Sequence, residues 1–116
     1  MSSEERVSAE EEIASEVLTL HKNSYGTGAT QTHVHFMGDF VLVVLDVELT
    51  LSEQTLIDAG REDAVIGMRE AFQRAVAPTF KAIIERATGR RVEDFTSQMK
   101  VDPLYSIEVF RLSPAA

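Results

Sequence analysis

The sequence contains no cysteine. That excludes a disulfide scaffold, a thiolate zinc site and a cysteine nucleophile, and it suits a reducing compartment. No apolar run approaches the roughly 20 residues a membrane helix needs. The N-terminal stretch MSSEERVSAEEE lacks the apolar core of a secretory signal. The expectation is a cytoplasmic protein without direct membrane insertion, whose connection to a membrane would run through a partner. Positive charge is also scarce, with 11 Lys and Arg against 19 Asp and Glu and a net charge of −8. Such a field repels phosphate backbones and anionic headgroups, so no nucleic-acid partner is expected. Nor does any cluster identify a reaction. Ser, His and Asp occur without anything resembling a nucleophile elbow, and Asp94, Asp102 and Glu108 read as isolated carboxylates.

What is present is one domain's worth of chain: 116 residues, 44% hydrophobic and 26% charged, enough to bury a core without staples. Residues 30–49, TQTHVHFMGDFVLVVLDVEL, organise the rest. The run from Phe40 to Leu49 is rich in Val, Leu and Phe, and Gly38-Asp39 precedes it as the two central residues of a hairpin turn. That turn pairs Met37 with Phe40, His35 with Leu42 and His33 with Val44, which sorts the side chains by face. Val34, Phe36, Val41, Val43, Leu45, Val47 and Leu49 fall on a core face. Gln31, His33, His35, Met37, Phe40, Leu42, Val44, Asp46 and Glu48 fall on the other, which is half apolar and half polar and suits contact with another chain.

Upstream, residues 1–7 read as a flexible start. Ser8 and Glu11 then have capping-box spacing, and Ile13, Val17, Leu20 and His21 continue as a helical stripe until Tyr25-Gly26-Thr27-Gly28. Downstream, Thr50 and Glu53 repeat the capping-box spacing and open a short helix closed near Gly60. A long helix from Glu62 should carry Val65, Met68, Phe72, Val76, Phe80, Ile83 and Ala87 inward, bend at Pro78 and stop at Gly89. Residues 91–101 and 104–112 read as two strands about an Asp102-Pro103 turn. The second is either apolar on both faces or bulged, because Tyr105, Ile107 and Val109 alternate out of phase with Phe110 and Leu112. Residues 113–116 read as a flexible tail. The order α-β-β-α-α-β-β indicates a single α+β domain over residues 8–112: an antiparallel four-stranded sheet with helices on one face. One helical layer leaves the opposite sheet face open, and the simplest cover is a second copy, so a homodimer is expected, with His33, His35, Phe40, Leu42 and Val44 as interface candidates.

Four segments carry a family resemblance: YGTGAT, GDFVLVVLDVELTLSEQTLIDAGRED, REAFQRAVAPTFKAIIERATGRRVEDF and DPLYSIEVFRL. In that order and spacing they resemble the MpsC family, over residues 8–112. The carrying motifs are the Gly-x-Gly loop, the LT-x-x-E-x-x-L-x-x-x-G-R stretch from Leu49 to Arg61, TGR at residues 88–90 and EVF at residues 108–110. The family loop usually reads Gly-x-Gly-Pro, and Ala29 stands here in place of the proline. The resemblance implies a small accessory or regulatory protein of a sodium-translocating, membrane-potential-generating system, relatives of which are linked to inorganic-carbon uptake. It implies no catalytic residues and no cofactor.

Three features compete for a functional role. His33 and His35 share a sheet face about 7 Å apart, a spacing from which metal ligands can converge. The register, however, sets Asp46 one pair away, so they read as interface or surface histidines. Gly26-Thr27-Gly28 precedes a strand, whereas phosphate-cradling loops open helices. It therefore reads as a turn, with an anion or partner contact as the other use. Arg61, Arg69, Arg74, Lys81, Arg86, Arg90 and Arg91 bring positive charge to the second half, and i,i+4 partners make a solvated face the simpler reading. The leading expectation is a non-enzymatic homodimeric accessory protein using the mixed sheet face or the glycine loop. A small-ligand or anion sensor built on Arg61 and the arginines near Gly89 comes second, and a metal-dependent enzyme using His33 and His35 third.

Overall fold

The computed structural model describes residues 1–26 and 29–114. The elements follow the expected order: α1 (Ser3–Tyr25), β1 (Ala29–Met37), β2 (Phe40–Val47), α2 (Leu51–Asp58), α3 (Glu62–Thr88), β3 (Val92–Lys100) and β4 (Tyr105–Leu112). The four strands form one antiparallel sheet in the order β1-β2-β4-β3. The β1–β2 hairpin turns at Gly38, whose φ of 59° is the positive value such a turn requires. It pairs Met37 with Phe40, His35 with Leu42 and His33 with Val44, in the register read from the sequence.

α1 and α3 lie on one side of the sheet, and α2 packs against α3. Ile13 and Val17 of α1 and Phe80, Ile83 and Ile84 of α3 pack on Val34, Val41, Val43, Leu45, Phe110 and Leu112 of the sheet. At the centre, the Phe110 ring stacks on Phe95 at 4.6 Å and meets Phe80 at 4.8 Å. Such rings contribute packing geometry beyond the area they bury.

Two expectations need correction, and the choice left open at β4 is decided. The first helix begins at Ser3, not Ser8: Ser2 caps it, exchanging hydrogen bonds with Glu5 in a capping box one turn and more upstream of the expected one. Nothing between Ser3 and Tyr25 is Gly or Pro, so the outermost competent cap sets the start. On α3, Met68 is exposed at 49%, and the buried positions are Val65, Arg69, Gln73, Phe80, Ile83 and Ile84. Arg69 and Gln73 replace Met68 on the inward stripe because both find hydrogen-bond partners inside, so polarity misled the assignment there. The helix runs through Pro78 to Gly89, whose left-handed φ of 69° ends it. Finally, β4 holds an unbroken register with β2, and the irregularity lies on β3 between Val92 and Asp94. β4 is two-faced: Ser106, Glu108, Phe110 and Leu112 are buried under the helices, while Tyr105, Ile107 and Val109 are half-buried on the outer side.

Denaturant unfolding checks this layering. Phe110→Ala should cost about 3–5 kcal/mol, as large aromatic truncations in cores do. Met68→Ala should stay within about 0.5 kcal/mol, as exposed positions do; an equal loss at both sites would contradict the placement of α3.

Candidate functional site

Two polar constellations sit where the sequence pattern asks for core. The first is a knot at the junction of α1, α2, α3 and the end of β2. Thr50 caps α2, and Glu53, as the reciprocal partner of that cap, accepts from the Thr50 N–H at 2.9 Å. Glu53 is nevertheless fully buried. Arg69 donates to it twice, Nε to Oε2 and Nη2 to Oε1, each at 2.6 Å, and the Tyr25 hydroxyl donates to Oε2 at 2.6 Å. Arg69 Nη2 also donates to the Glu48 carbonyl at 2.9 Å, and the guanidinium lies 4.6 Å above the Tyr25 ring. Burial opposes charge on Glu53, but Arg69, the Thr50 N–H and Tyr25 outweigh it and hold its carboxyl down to about 2. Tyr25 moves the other way: burial, then its bond to Glu53, pushes its hydroxyl up to about 12. Neither group exchanges a proton near neutrality. The knot is a pin.

Beside it, buried His21 has its ring fixed at both nitrogens. Nδ1 lies 2.8 Å from the Val17 carbonyl, which only accepts, so Nδ1 carries the proton. Nε2 then accepts from the Gln73 amide nitrogen at 3.0 Å. Burial lowers the His21 pKa, and nearby Arg69 lowers it further against the pull of the Val17 bond, which keeps the ring neutral.

The second constellation is Glu108 with its two serines. Glu108 is fully buried on β4, and Ser97 Oγ and Ser106 Oγ each donate to its Oε1 at 3.1 Å. Burial pushes its carboxyl up to about 7 in spite of those two bonds. It is the opposite of Glu53: an interior carboxyl whose proton is in play at neutral pH.

The residues singled out from the sequence are dispersed. His33 Nε2 reaches Asp46 Oδ2 at 3.0 Å on the outer sheet face, with both side chains about half exposed. The contact spans the one-pair offset between them diagonally. His35 is exposed, opposite Leu42. Among the described residues, no group of three or more His, Asp or Glu converges to hold a metal. Phe40, Leu42 and Val44 line the same outer face. Gly26 caps α1 with a φ of 88°, whereas Thr27 and Gly28 lie outside the described residues. Arg61 is exposed and bonded to Asp63. Arg86 meets Glu16, and Arg90 meets Asp39 and the Ser113 carbonyl. Together with Arg69, these pairings spread the positive charge over the molecule instead of gathering it in one patch. Sequence reasoning missed both interior carboxylates. The signal for Glu53 lay in the capping box that also invited a surface reading, and the signal for Glu108 lay in its inward phase with Phe110.

The MpsC family, described as Na+-translocating membrane potential-generating system (MpsC), matches residues 5–114. The chain belongs to the MpsC family. Searches of curated proteins and of solved structures each give no match. Both buried carboxylates fall inside the matched range, Glu53 in the LT-x-x-E stretch and Glu108 at the head of EVF. Among the described residues of this MpsC chain, no helix is long and apolar enough to cross a membrane.

Two outcomes follow for stability. Arg69→Leu leaves Glu53 charged and buried and should cost about 3–5 kcal/mol by denaturant unfolding, whereas the Glu53→Leu/Arg69→Leu double variant recovers a substantial part. The second concerns pH. Folded Glu108 holds its proton up to about 7, against an ordinary value of 4.5. The Glu108 contribution to stability therefore declines as pH rises from 4.5 through about 7, by about 3 kcal/mol, and levels off above, while His21, held neutral by burial, contributes in the opposite sense below 6.5. The stability difference between wild type and Glu108→Gln isolates the first: it should fall across that interval, and a difference that stays constant would contradict the assignment.

Proposed function

We propose that this MpsC chain is a non-enzymatic accessory subunit of the membrane-potential-generating system its family is named for, working on the cytoplasmic side as a homodimer. The observation that carries this reading is the outer sheet face. The helices cover only the opposite side, and the outer side presents Phe40, Leu42 and Val44 on β2 beside Ile107 and Val109 on β4, its two central strands. Polar margins flank that apolar centre. His33, His35 and Asp46 stand toward β1, and Thr96 and Gln98 stand on β3. An apolar centre with a polar rim is the anatomy of a protein interface. A two-fold contact uses the same patch on both copies, and a second copy is the partner always at hand. Covering apolar surface yields about 25 cal/mol per Å².

The non-enzymatic reading is supported by the state of the interior groups. Glu53 and Arg69 are saturated by each other, and Tyr25 is locked as a donor to Glu53. A chain built this way acts by binding.

Sedimentation at micromolar concentration should give twice the 12.9 kDa chain mass. Leu42→Asp, on the outer face and away from the core, should give a folded monomer with unchanged far-UV dichroism. It should also lose capture of the system's ion-translocating subunits from detergent-solubilised membranes. A wild-type monomer removes the dimer, and retention of those subunits by the variant moves the partner contact off this face.

A further inference from the structure

We propose that the free edge of β3 pairs with the same edge of a second copy, joining two sheets into one through an antiparallel contact centred on Ser97. β3 is a margin of the sheet, bonded only to β4. Which of its backbone groups are free follows from the ladder. The Leu112 N–H donates to the Asp39 carbonyl and the Ser113 N–H to the Arg91 carbonyl, so on β4 Leu112 turns toward β2 and Ser113 toward β3. Backbone direction alternates along a strand, so Arg111, Val109, Ile107 and Tyr105 also turn toward β3. Their partners Asp94, Thr96, Gln98 and Lys100 spend their amides and carbonyls on that ladder. The N–H and C=O groups of Phe95, Ser97 and Met99 therefore point out of the sheet. Phe95 bears this out: its N–H meets no strand and is taken by the Asp94 carboxylate at 2.9 Å.

A two-fold axis through Ser97 sets these free groups opposite one another. Ser97 meets the partner's Ser97 and Phe95 meets the partner's Met99, and each pair exchanges N–H and carbonyl as the hydrogen-bonded positions of an antiparallel ladder do. The Ser97 hydroxyl stays on Glu108, since only its backbone is used. The side chains agree with the register. Phe95 and Met99, both packed inward, lie beside each other on the helix side of the seam. On the outer side Asp94 falls opposite the partner's Lys100 and Thr96 opposite the partner's Gln98, in the closer pairs where opposite charges stabilise. Arg111 faces Asp94 from β4, so charges alternate across the seam. Other axes do worse. Centred on Thr96 or Gln98, the contact would face amides already spent on β4; centred on Phe95 or Met99, it would part Lys100 from Asp94.

Edge strands are ordinarily defended by proline, bulges or charge. No proline interrupts β3, and its register irregularity lies between Val92 and Asp94, at the end of the paired stretch. Residues 94–100 carry one acid and one base in a chain of net charge −8, so the edge itself is neutral and its two charges answer each other only in the antiparallel sense. The opposite edge differs: β1 has no Asp, Glu, Lys or Arg between Ala29 and Met37 with which to fix a register. Above β3, Glu70 and Arg74 of α3 stand on the wall of a hollow of about 250 Å³ that Phe95 and Ser97 also line, and the axis turns these opposite charges toward those of the partner. It stands perpendicular to the sheet, so the contact leaves the outer face untouched and does not depend on the dimer proposed there. Strand pairing of this extent makes a small interface, of the weak class.

The test uses the full chain carrying Leu42→Asp, which removes the outer-face contact. Sedimentation equilibrium from about 10 μM to about 1 mM should take this variant from monomer to dimer, and the wild type from dimer to tetramer. On the Leu42→Asp background, Asp94→Lys and Lys100→Asp should each weaken association at least about tenfold by setting like charges opposite, and the two together should restore it. Amide exchange at Phe95, Ser97 and Met99 should slow with concentration, about tenfold when nine-tenths of the chains are paired, while Thr96 and Gln98 keep their rates. Leu42→Asp remaining monomeric to about 1 mM overturns the proposal. So does association indifferent to both single charge changes, a double change that fails to restore it, or slowed exchange confined to other strands. A wild type that is monomeric at micromolar concentration counts against the outer-face dimer alone, and the charge exchange still decides the edge.

Discussion

The contact on which the rest of the structure depends is the doubly bonded pair of Glu53 and Arg69. It is small, yet it joins four elements that are far apart in sequence. Glu53 belongs to the first turn of α2, Arg69 to the second turn of α3, the Glu48 carbonyl to the exit of β2 and Tyr25 to the last turn of α1. Each partner is buried, and each would be intolerable alone, since an unpaired interior charge costs several kcal/mol. The pair therefore specifies an arrangement more than it stabilises one. α3 cannot slide along the sheet without leaving a guanidinium unanswered, and α1 cannot end elsewhere without withdrawing the Tyr25 hydroxyl.

That anchoring explains why the helices roof one side of the sheet so completely and leave the other bare. α1 lies against the β1 side and α3 reaches β3, while the central strands β2 and β4 supply Val41, Val43, Leu45, Phe110 and Leu112 to the space between. Among the described residues no helix crosses to the far side, which leaves Phe40, Leu42, Val44, Ile107 and Val109 without a helix over them.

The two interior carboxylates show how environment divides identical side chains. Glu53 accepts from four donors, two of them on a cation, and is held down to about 2. Glu108 accepts from two neutral hydroxyls through one oxygen and is pushed up to about 7. Both are shut away from solvent, and two things separate them: Glu53 has a guanidinium against it, and Glu108 is the more strongly desolvated. The first carboxylate holds the fold together, and the second gives the interior a place where charge can change.

By itself the sequence determined most of what depends on near neighbours along the chain, the start of α1 excepted. Gly38-Asp39 set the hairpin register to the residue, Thr50 and Glu53 set the start of α2, and Gly89 set the end of α3, because turn geometry and capping act over three or four residues. The apolar alternation of β2 and the period of α3 were enough for the α+β class, and the spaced motifs were enough for the family. Only the tertiary structure decided which polar residues go inside. Arg69 and Met68 are neighbours on one helix, and their intrinsic hydrophobicity ranks them the wrong way round. Arg69 is inside because Glu53, 16 residues away, is waiting there. Glu108 is inside because its strand phase is fixed by Phe110 and its cost is softened by Ser97 on another strand. A periodic pattern reports which residues share a face, and hydrophobicity guesses which face is covered. Whether a charge can be buried depends on a partner that folding brings to it, and that information lies in distances between residues far apart in the chain.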